Sequence, residues 1–233
     1  MFNVRASYAD ESEAMISQLV SLGLKNIAVL YQNDGFGKSG LEGVTAALKK
    51  HKLTPSAVGT VERNSVDVSK ALGPIATANP QAIVMVTLYK PTAAFVKAMK
   101  KSGQNPMFMT LSPVGTEQLV QELGPEARGI GISQVVPYPW SDVTPVVREY
   151  QKLATRPGSY SYYGMEGYLM ARTLVEGLKR AGRELSREKL VLALESMNNI
   201  DFGGYRLNYS PTARQGSRFV ELTVVGPGGK ILK

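Results

Sequence analysis

Along the first 135 residues the apolar positions switch repeatedly between a helical spacing and short unbroken runs. Met15, Ile16, Leu19 and Val20 recur at helical intervals within 7–22, where Asp10, Glu11 and Glu13 occupy the opening turns and Gly23 ends the pattern. Residues 26–31 (Asn-Ile-Ala-Val-Leu-Tyr) form a short run with no alternation, as expected of a strand covered on both faces. The same reading predicts helices over 39–51, 68–78, 91–102 and 115–123, and strands over 57–61, 82–88, 106–110 and 130–135. Pro91 near the start and Gly103 after the end of one helix fit the usual asymmetry of helix termini. Strands separated by helices imply right-handed βαβ units, hence an α/β fold with a doubly wound parallel sheet. In such a sheet, ligands sit outside the carboxyl ends of the strands. That singles out the loops over 31–37, 87–91, 110–115 and 136–140.

The pattern then changes. Pro137, Pro139 and Pro145 punctuate a linker containing Trp140, and a helix is expected over 143–153, followed by a turn at 156–158. Tyr160, Tyr162 and Tyr163 introduce a long helix over 164–181, ended by Gly182, and Ser186 is placed to cap a further helix to 197. Residues 205–209 and 219–225 alternate like antiparallel strands, and Gly226-Pro227-Gly228-Gly229 closes a terminal hairpin. The long helix carries Leu169, Met170, Leu174, Val175 and Leu178, yet the sequence supplies little sheet to cover it.

Composition narrows the function classes. The 233 residues carry 27 basic and 19 acidic side chains, a formal charge of +8, with 43% hydrophobic residues. Disorder is excluded by that hydrophobicity, and no apolar run reaches the roughly 18 residues of a membrane-spanning helix. The basic residues are dispersed near helix ends, and neither zinc-finger spacing nor a basic-aromatic RNA motif occurs, so no nucleic-acid partner is expected. With no Cys and only His51, the chain has no disulfide framework, no thiolate metal site and no cysteine nucleophile. Ser39 lacks the flanking pattern of a nucleophile elbow, and Asp34, Glu42, Glu117 and Asp142 lack metal-ligand spacing. No catalytic residue, metal or cofactor is expected.

What remains is binding chemistry. Residues 31–37 (Tyr-Gln-Asn-Asp-Gly-Phe-Gly) end a buried strand and open a helix, but without phosphate-loop spacing they read as a plain βα turn. Tyr89 and Lys90 offer a ring, a hydroxyl and a charge after the third strand. Tyr160, Tyr162, Tyr163 and Glu166 cluster at a helix start, where aromatic rings could pack an apolar ligand or cover a core edge.

The residues Asn3-Val4-Arg5 before a helix, Val29-Leu30-Tyr31 running into Asp34-Gly35-Phe36-Gly37, Tyr89-Lys90-Pro91, and Tyr163-Gly164-Met165-Glu166-Gly167-Tyr168 resemble the periplasmic leucine/isoleucine/valine-binding protein family. These are receptors of branched-chain amino acid ABC transporters with a type I two-lobe fold joined by three crossovers. The resemblance implies an N-terminally truncated member: residues 1–138 and 215–233 as the second lobe, and 139–214 as part of the first, its helices lacking their sheet. It places ligand-binding roles on Phe36, Tyr89, Ser112, Tyr163 and Glu166. Ser112 falls near where amino acid binders carry a carboxylate for the ligand ammonium; this departure puts an amino acid ligand in question unless another acid such as Glu166 substitutes. The implied function is an extracytoplasmic receptor of an ABC importer for small hydrophobic or branched-chain amino acids or related carboxylic acids. It would act by lobe closure, in the periplasm, with an ABC permease as partner and no signal peptide in this chain. The alternatives are a ligand-sensing regulatory domain of the same fold and a small-metabolite enzyme. A truncated lobe is also expected to form a homodimer covering Leu169, Leu174 and Leu178.

Overall fold

In the computed structural model, which describes residues 1–233 apart from Thr155, Pro157 and Gly158, the chain divides into two units. Tyr8–Gln134 with Glu221–Lys233 makes the larger, and Met1–Ser7 with Val135–Val220 the smaller. The turn expected at 156–158 has Pro157 and Gly158 outside the described residues.

The larger unit is built on the alternation seen in the sequence. After α1 (Tyr8–Ser21) come β1 (Ile27–Gln32), α2 (Gly35–Lys50), β2 (Val58–Val61), α3 (Ser69–Thr77), β3 (Ala82–Val86), α4 (Tyr89–Lys101), β4 (Met107–Thr110), α5 (Thr116–Leu123) and β5 (Gly131–Gln134). The sheet order β2-β1-β3-β4-β5 is parallel throughout. Every residue of β3 and of β5 is buried, the condition that removes alternation from their sequences. On one face Ile27, Val29, Ala82, Val84 and Met109 meet Met15, Ile16 and Leu19 of α1 and Val44 and Leu48 of α2. Each of these side chains other than Ala82 contributes about 1.5–3 kcal/mol of burial free energy. Alternate strand residues Ala28, Leu30, Ile83 and Met85 are equally buried, and α3, α4 and α5 bring Ile75, Phe95, Val96 and Leu119 into the interior.

Two glycines fix how closely α2 approaches the sheet. A Cβ on Gly37 would lie 1.8 Å from the Gln32 carbonyl oxygen, and one on Gly40 would lie 2.3 Å from a Val86 methyl. α2 begins four residues before the start read from hydrophobic spacing because Asp34 caps it, its side chain accepting from the Gly37 N–H. The distal edge is completed by two late strands, each antiparallel to its neighbour. They come after the short hairpin strands β6 (Ile200–Asp201) and β7 (Arg206–Leu207): β8 (Glu221–Val225) pairs with β5, and β9 (Ile231–Leu232) with β8.

The smaller unit contains α6 (Pro145–Leu153), α7 (Tyr162–Ala181), α8 (Arg187–Glu195) and the two-residue strands β6 and β7. Ser161 and Ser186 cap α7 and α8, accepting from the N–H groups of Gly164 and Lys189 at 2.9 and 3.1 Å. α7 buries Tyr162, Met165, Leu169, Thr173 and Gly177 along one stripe. Leu169 is therefore fully buried and does not need the cover expected for it, whereas Met170, Leu174 and Val175 are about half exposed on the next face. Residues 1–7 group with this unit and not with the sheet that follows them: the Asn3 N–H donates to the Arg214 carbonyl at 2.9 Å, and the Asn3 carbonyl accepts from Gly216 at 2.8 Å.

Candidate functional site

At the carboxyl edge of the larger unit, β1, β3 and β4 are neighbours, so the loops that follow them lie side by side. Three of the expected site residues stand there. Phe36 sits in the first turn of α2, its ring edge-on to Tyr8 at 5.3 Å. Tyr89 is the first residue of α4, half-buried; its loop is braced by the Thr87 and Thr92 hydroxyls, 2.6 Å apart. Ser112 follows β4 in a single 3-10 turn, Ser112–Val114, and is nearly buried.

The turn after β1 is organised by its own acid. Asp34 accepts from the Gly37 N–H at 2.9 Å and from the Gln32 amide at 2.6 Å. Burial works to raise the Asp34 carboxyl, but these hydrogen bonds and nearby Arg63 outweigh it and hold the group below the usual carboxylate range. A helix terminus already occupied by an acid is not a site for a ligand anion, in keeping with the plain βα turn read from sequence.

One residue at this edge was not singled out in the sequence. Glu11, in the first turn of α1, is 0% exposed. Its Oε2 accepts from the Ser112 N–H at 2.8 Å and from the Ser133 hydroxyl at 2.6 Å. An acid in an opening turn reads as a complement to the helix dipole, which conceals this role. The available signal was register: Glu11 shares the stripe of Met15 and Leu19, at four-residue spacing.

Tyr163 and Glu166 belong to the smaller unit, on the first turns of α7. Tyr163 is 47% exposed, while its neighbour Tyr162 is the buried ring, edge-on to Trp140 at 5.5 Å and to Tyr138 at 6.3 Å. Glu166 lies 3.6 Å from the Arg5 guanidinium, with the two side chains 15% and 19% exposed. Tyr205, also buried, directs its hydroxyl at the Val4 carbonyl, 2.7 Å away, and within 3.2 Å of the Val135 carbonyl. Val4 and Val135 flank two of the three passages of the chain between units, at 7–8, 134–135 and 220–221. A groove of about 320 Å³ in this unit is lined by Phe2, Val4, Met170, Thr173 and Leu174 among others, and by neither Tyr163 nor Glu166. Among the described residues no group of three or more His, Cys, Asp or Glu side chains could hold a metal ion, and no helix is long and apolar enough to cross a membrane.

A sequence profile described as periplasmic binding protein matches residues 1–230. Among solved structures, the chain is similar to a possible leucine/isoleucine/valine-binding protein from Rhodopirellula baltica, with 33% identity, a TM-score of 0.91, and coverage of 100% of this chain and 66% of that one. A substrate-binding periplasmic protein from Ralstonia solanacearum shares 33% identity over 99% of this chain and 67% of its own, with a TM-score of 0.88. A branched-chain amino acid ABC transporter protein from Thermus thermophilus, solved with bound valine, shares the fold at 19% identity, with a TM-score of 0.85 and coverage of 99% and 65%. The chain thus spans about two thirds of the length of each of these proteins. No curated protein matches it.

Proposed function

The chain belongs to the periplasmic binding protein family, and on that premise we propose that it is the solute-recognising part of an extracytoplasmic receptor serving an ABC importer. Its ligand is a small hydrophobic or branched-chain amino acid or a related carboxylic acid, and it works in the periplasm with a membrane permease as partner. The observation that carries this reading is the convergence of Phe36, Tyr89 and Ser112 at the carboxyl ends of three neighbouring parallel strands, where open α/β sheets bind ligands. The Phe36 and Tyr89 rings supply an apolar contact, Tyr89 adds a hydroxyl, and the loop of Ser112 supplies polar groups. Tyr163 and Glu166 are assigned to ligand contact on the strength of the sequence resemblance. Binding is reported by hinge movement at the chain's three passages between units, the kind of motion a few residues at element ends can absorb.

The test is a thermal-shift screen of the protein as its gene encodes it, against amino acids and short carboxylic acids. A hydrophobic member should raise the melting temperature in proportion to its concentration over Kd. Tyr89→Ala and Phe36→Ala should reduce the shift while leaving the unliganded protein folded. Stabilisation by sugars or nucleotides, with none by this class, would overturn the reading.

A further inference from the structure

We infer that the Tyr205 hydroxyl is the hub of the hinge, joining the three chain passages between units so that they flex as one. The inference rests on the proposal that binding is reported by movement at those passages, and it goes further in naming the group that makes three separate segments act together.

Three observations carry it. First, one buried atom reaches all three segments. The Tyr205 hydroxyl stands 2.7 Å from the Val4 carbonyl and 3.2 Å from the Val135 carbonyl, and it shares a hydrogen bond with the Ser217 side chain. These residues adjoin the passages at 7–8, 134–135 and 220–221 in turn, and all belong to the smaller unit. A phenol has one proton to offer the two carbonyls and lone pairs left for the serine hydroxyl, so its single oxygen can serve all three. Second, the first and third segments are already knit along their backbones. The Asn3 N–H donates to the Arg214 carbonyl at 2.9 Å, and the Asn3 carbonyl accepts from the Gly216 N–H at 2.8 Å and from the Tyr209 hydroxyl at 3.0 Å. The segment at Val135 joins that pair through Tyr205. Third, the local structure delivers this ring inward. Tyr205 directly precedes β7, after a turn in which the Asp201 carboxylate accepts from the N–H groups of Gly203 and Gly204 at 2.8 and 2.7 Å. Arg172 of α7 fixes the same turn, donating to the Phe202 carbonyl at 3.1 Å with its guanidinium over the Phe202 ring. A hairpin with two residues in each strand has little stability of its own. What this one places in the interior is a phenol, where phenylalanine would fill the same space with no hydroxyl to desolvate. Segments that share one atom lose their hold together, so the hinge passes between two states and not through a spread of partly bent ones. Tyr205 acts through the segments it joins, and is a positioning residue.

The experiment loosens one passage and asks whether the other two respond. Val220→Gly relaxes the third passage, and hydrogen–deuterium exchange of the unliganded protein, as its gene encodes it, is followed in peptides covering residues 1–7 and 131–137. With Tyr205 present, V220G should speed exchange in both peptides by at least about threefold. In the Tyr205→Phe background the same substitution should speed them by less than about 1.5-fold, because the hydroxyl that carries the effect is gone. A merely structural Tyr205 would lower stability in either background and leave the response to V220G the same in both; that result overturns the inference. So does a wild-type background in which V220G affects neither peptide, or only one of them. Should Y205F not fold, Ser217→Ala replaces it as the background, since it releases the third segment from the phenol: a diminished response in the two peptides supports the inference, and an undiminished one overturns it. The exchange measurement needs no ligand, whereas the receptor reading is decided by the thermal-shift screen, so either can fail alone.

Discussion

Replacing Tyr205 by Phe removes one oxygen atom and tests how the connecting segments are held. The ring stays, so packing against Phe219, 6.0 Å away, is preserved. What is lost is the hydroxyl at 2.7 Å from the Val4 carbonyl and 3.2 Å from the Val135 carbonyl, in a side chain only 1% exposed. Removing one partner of a buried hydrogen bond costs about 1–3 kcal/mol, because the remaining group keeps its desolvation penalty. Urea denaturation of the 233-residue chain at neutral pH should therefore show Tyr205→Phe less stable by that amount, with the slope unchanged. The same phenol makes a second, pH-dependent claim. Burial, partly opposed by a hydrogen bond with Ser217, pushes it up to about 12 from 10. A group whose pKa is raised on folding contributes stability that is complete below its unfolded value and lost as pH rises through the folded one. The wild-type advantage over Tyr205→Phe should thus hold up to pH 10 and decline between pH 10 and about 12. A difference below about 0.5 kcal/mol at neutral pH, within the scatter of surface substitutions, would refute the reasoning. So would an advantage that stays constant across the alkaline window.

Asp34→Ala should cost about 1 kcal/mol by uncapping α2. Since the Asp34 carboxyl is held below its ordinary value, the cost should be full above that value, near pH 4, and shrink as pH falls, which acid titration of the two proteins' melting temperatures would check. On α7, Leu169→Ala should cost about 2–5 kcal/mol and Leu174→Ala less than about 1, because the first is fully buried and the second 48% exposed. Equal losses in denaturation midpoints would contradict the placement of the two faces.

The parallel sheet was legible because its strands are buried on both faces, which writes them as short unbroken apolar runs such as Ile83-Val84-Met85. Helix starts were less so. The spacing of apolar residues marks where a helix packs, whereas Asp34 and Ser161 set where it begins, and a cap is a matter of backbone geometry. The strands Ile200–Asp201 and Arg206–Leu207 are two residues each, too short for any period to register. Leu169 and Leu174 looked alike in sequence; only the packing of α7 separates them. Of the candidate site, the placement of Phe36 and Tyr89 just after β1 and β3 could be read from order along the chain. Glu11 could not, since its partners Ser112 and Ser133 lie more than a hundred residues away.

The pairing of Glu166 with Arg5 bears on how that acid can serve. At 3.6 Å, with both side chains mostly buried, the Glu166 carboxylate already has a cation beside it. A ligand ammonium would have to share or displace that guanidinium. Arg5 has further ties within its segment: its carbonyl accepts from the Gln215 amide, and its Nε lies 3.4 Å from the Ala6 carbonyl. The two truncations should therefore differ, Arg5→Ala costing more than Glu166→Gln. The double mutant should recover about 1 kcal/mol of coupling, because removing both charges leaves neither one buried without its partner. Denaturation of the four proteins of that cycle measures the coupling directly. Additive losses would mean that the pair is incidental, and Glu166 would then be free to meet a ligand cation as the sequence resemblance implied.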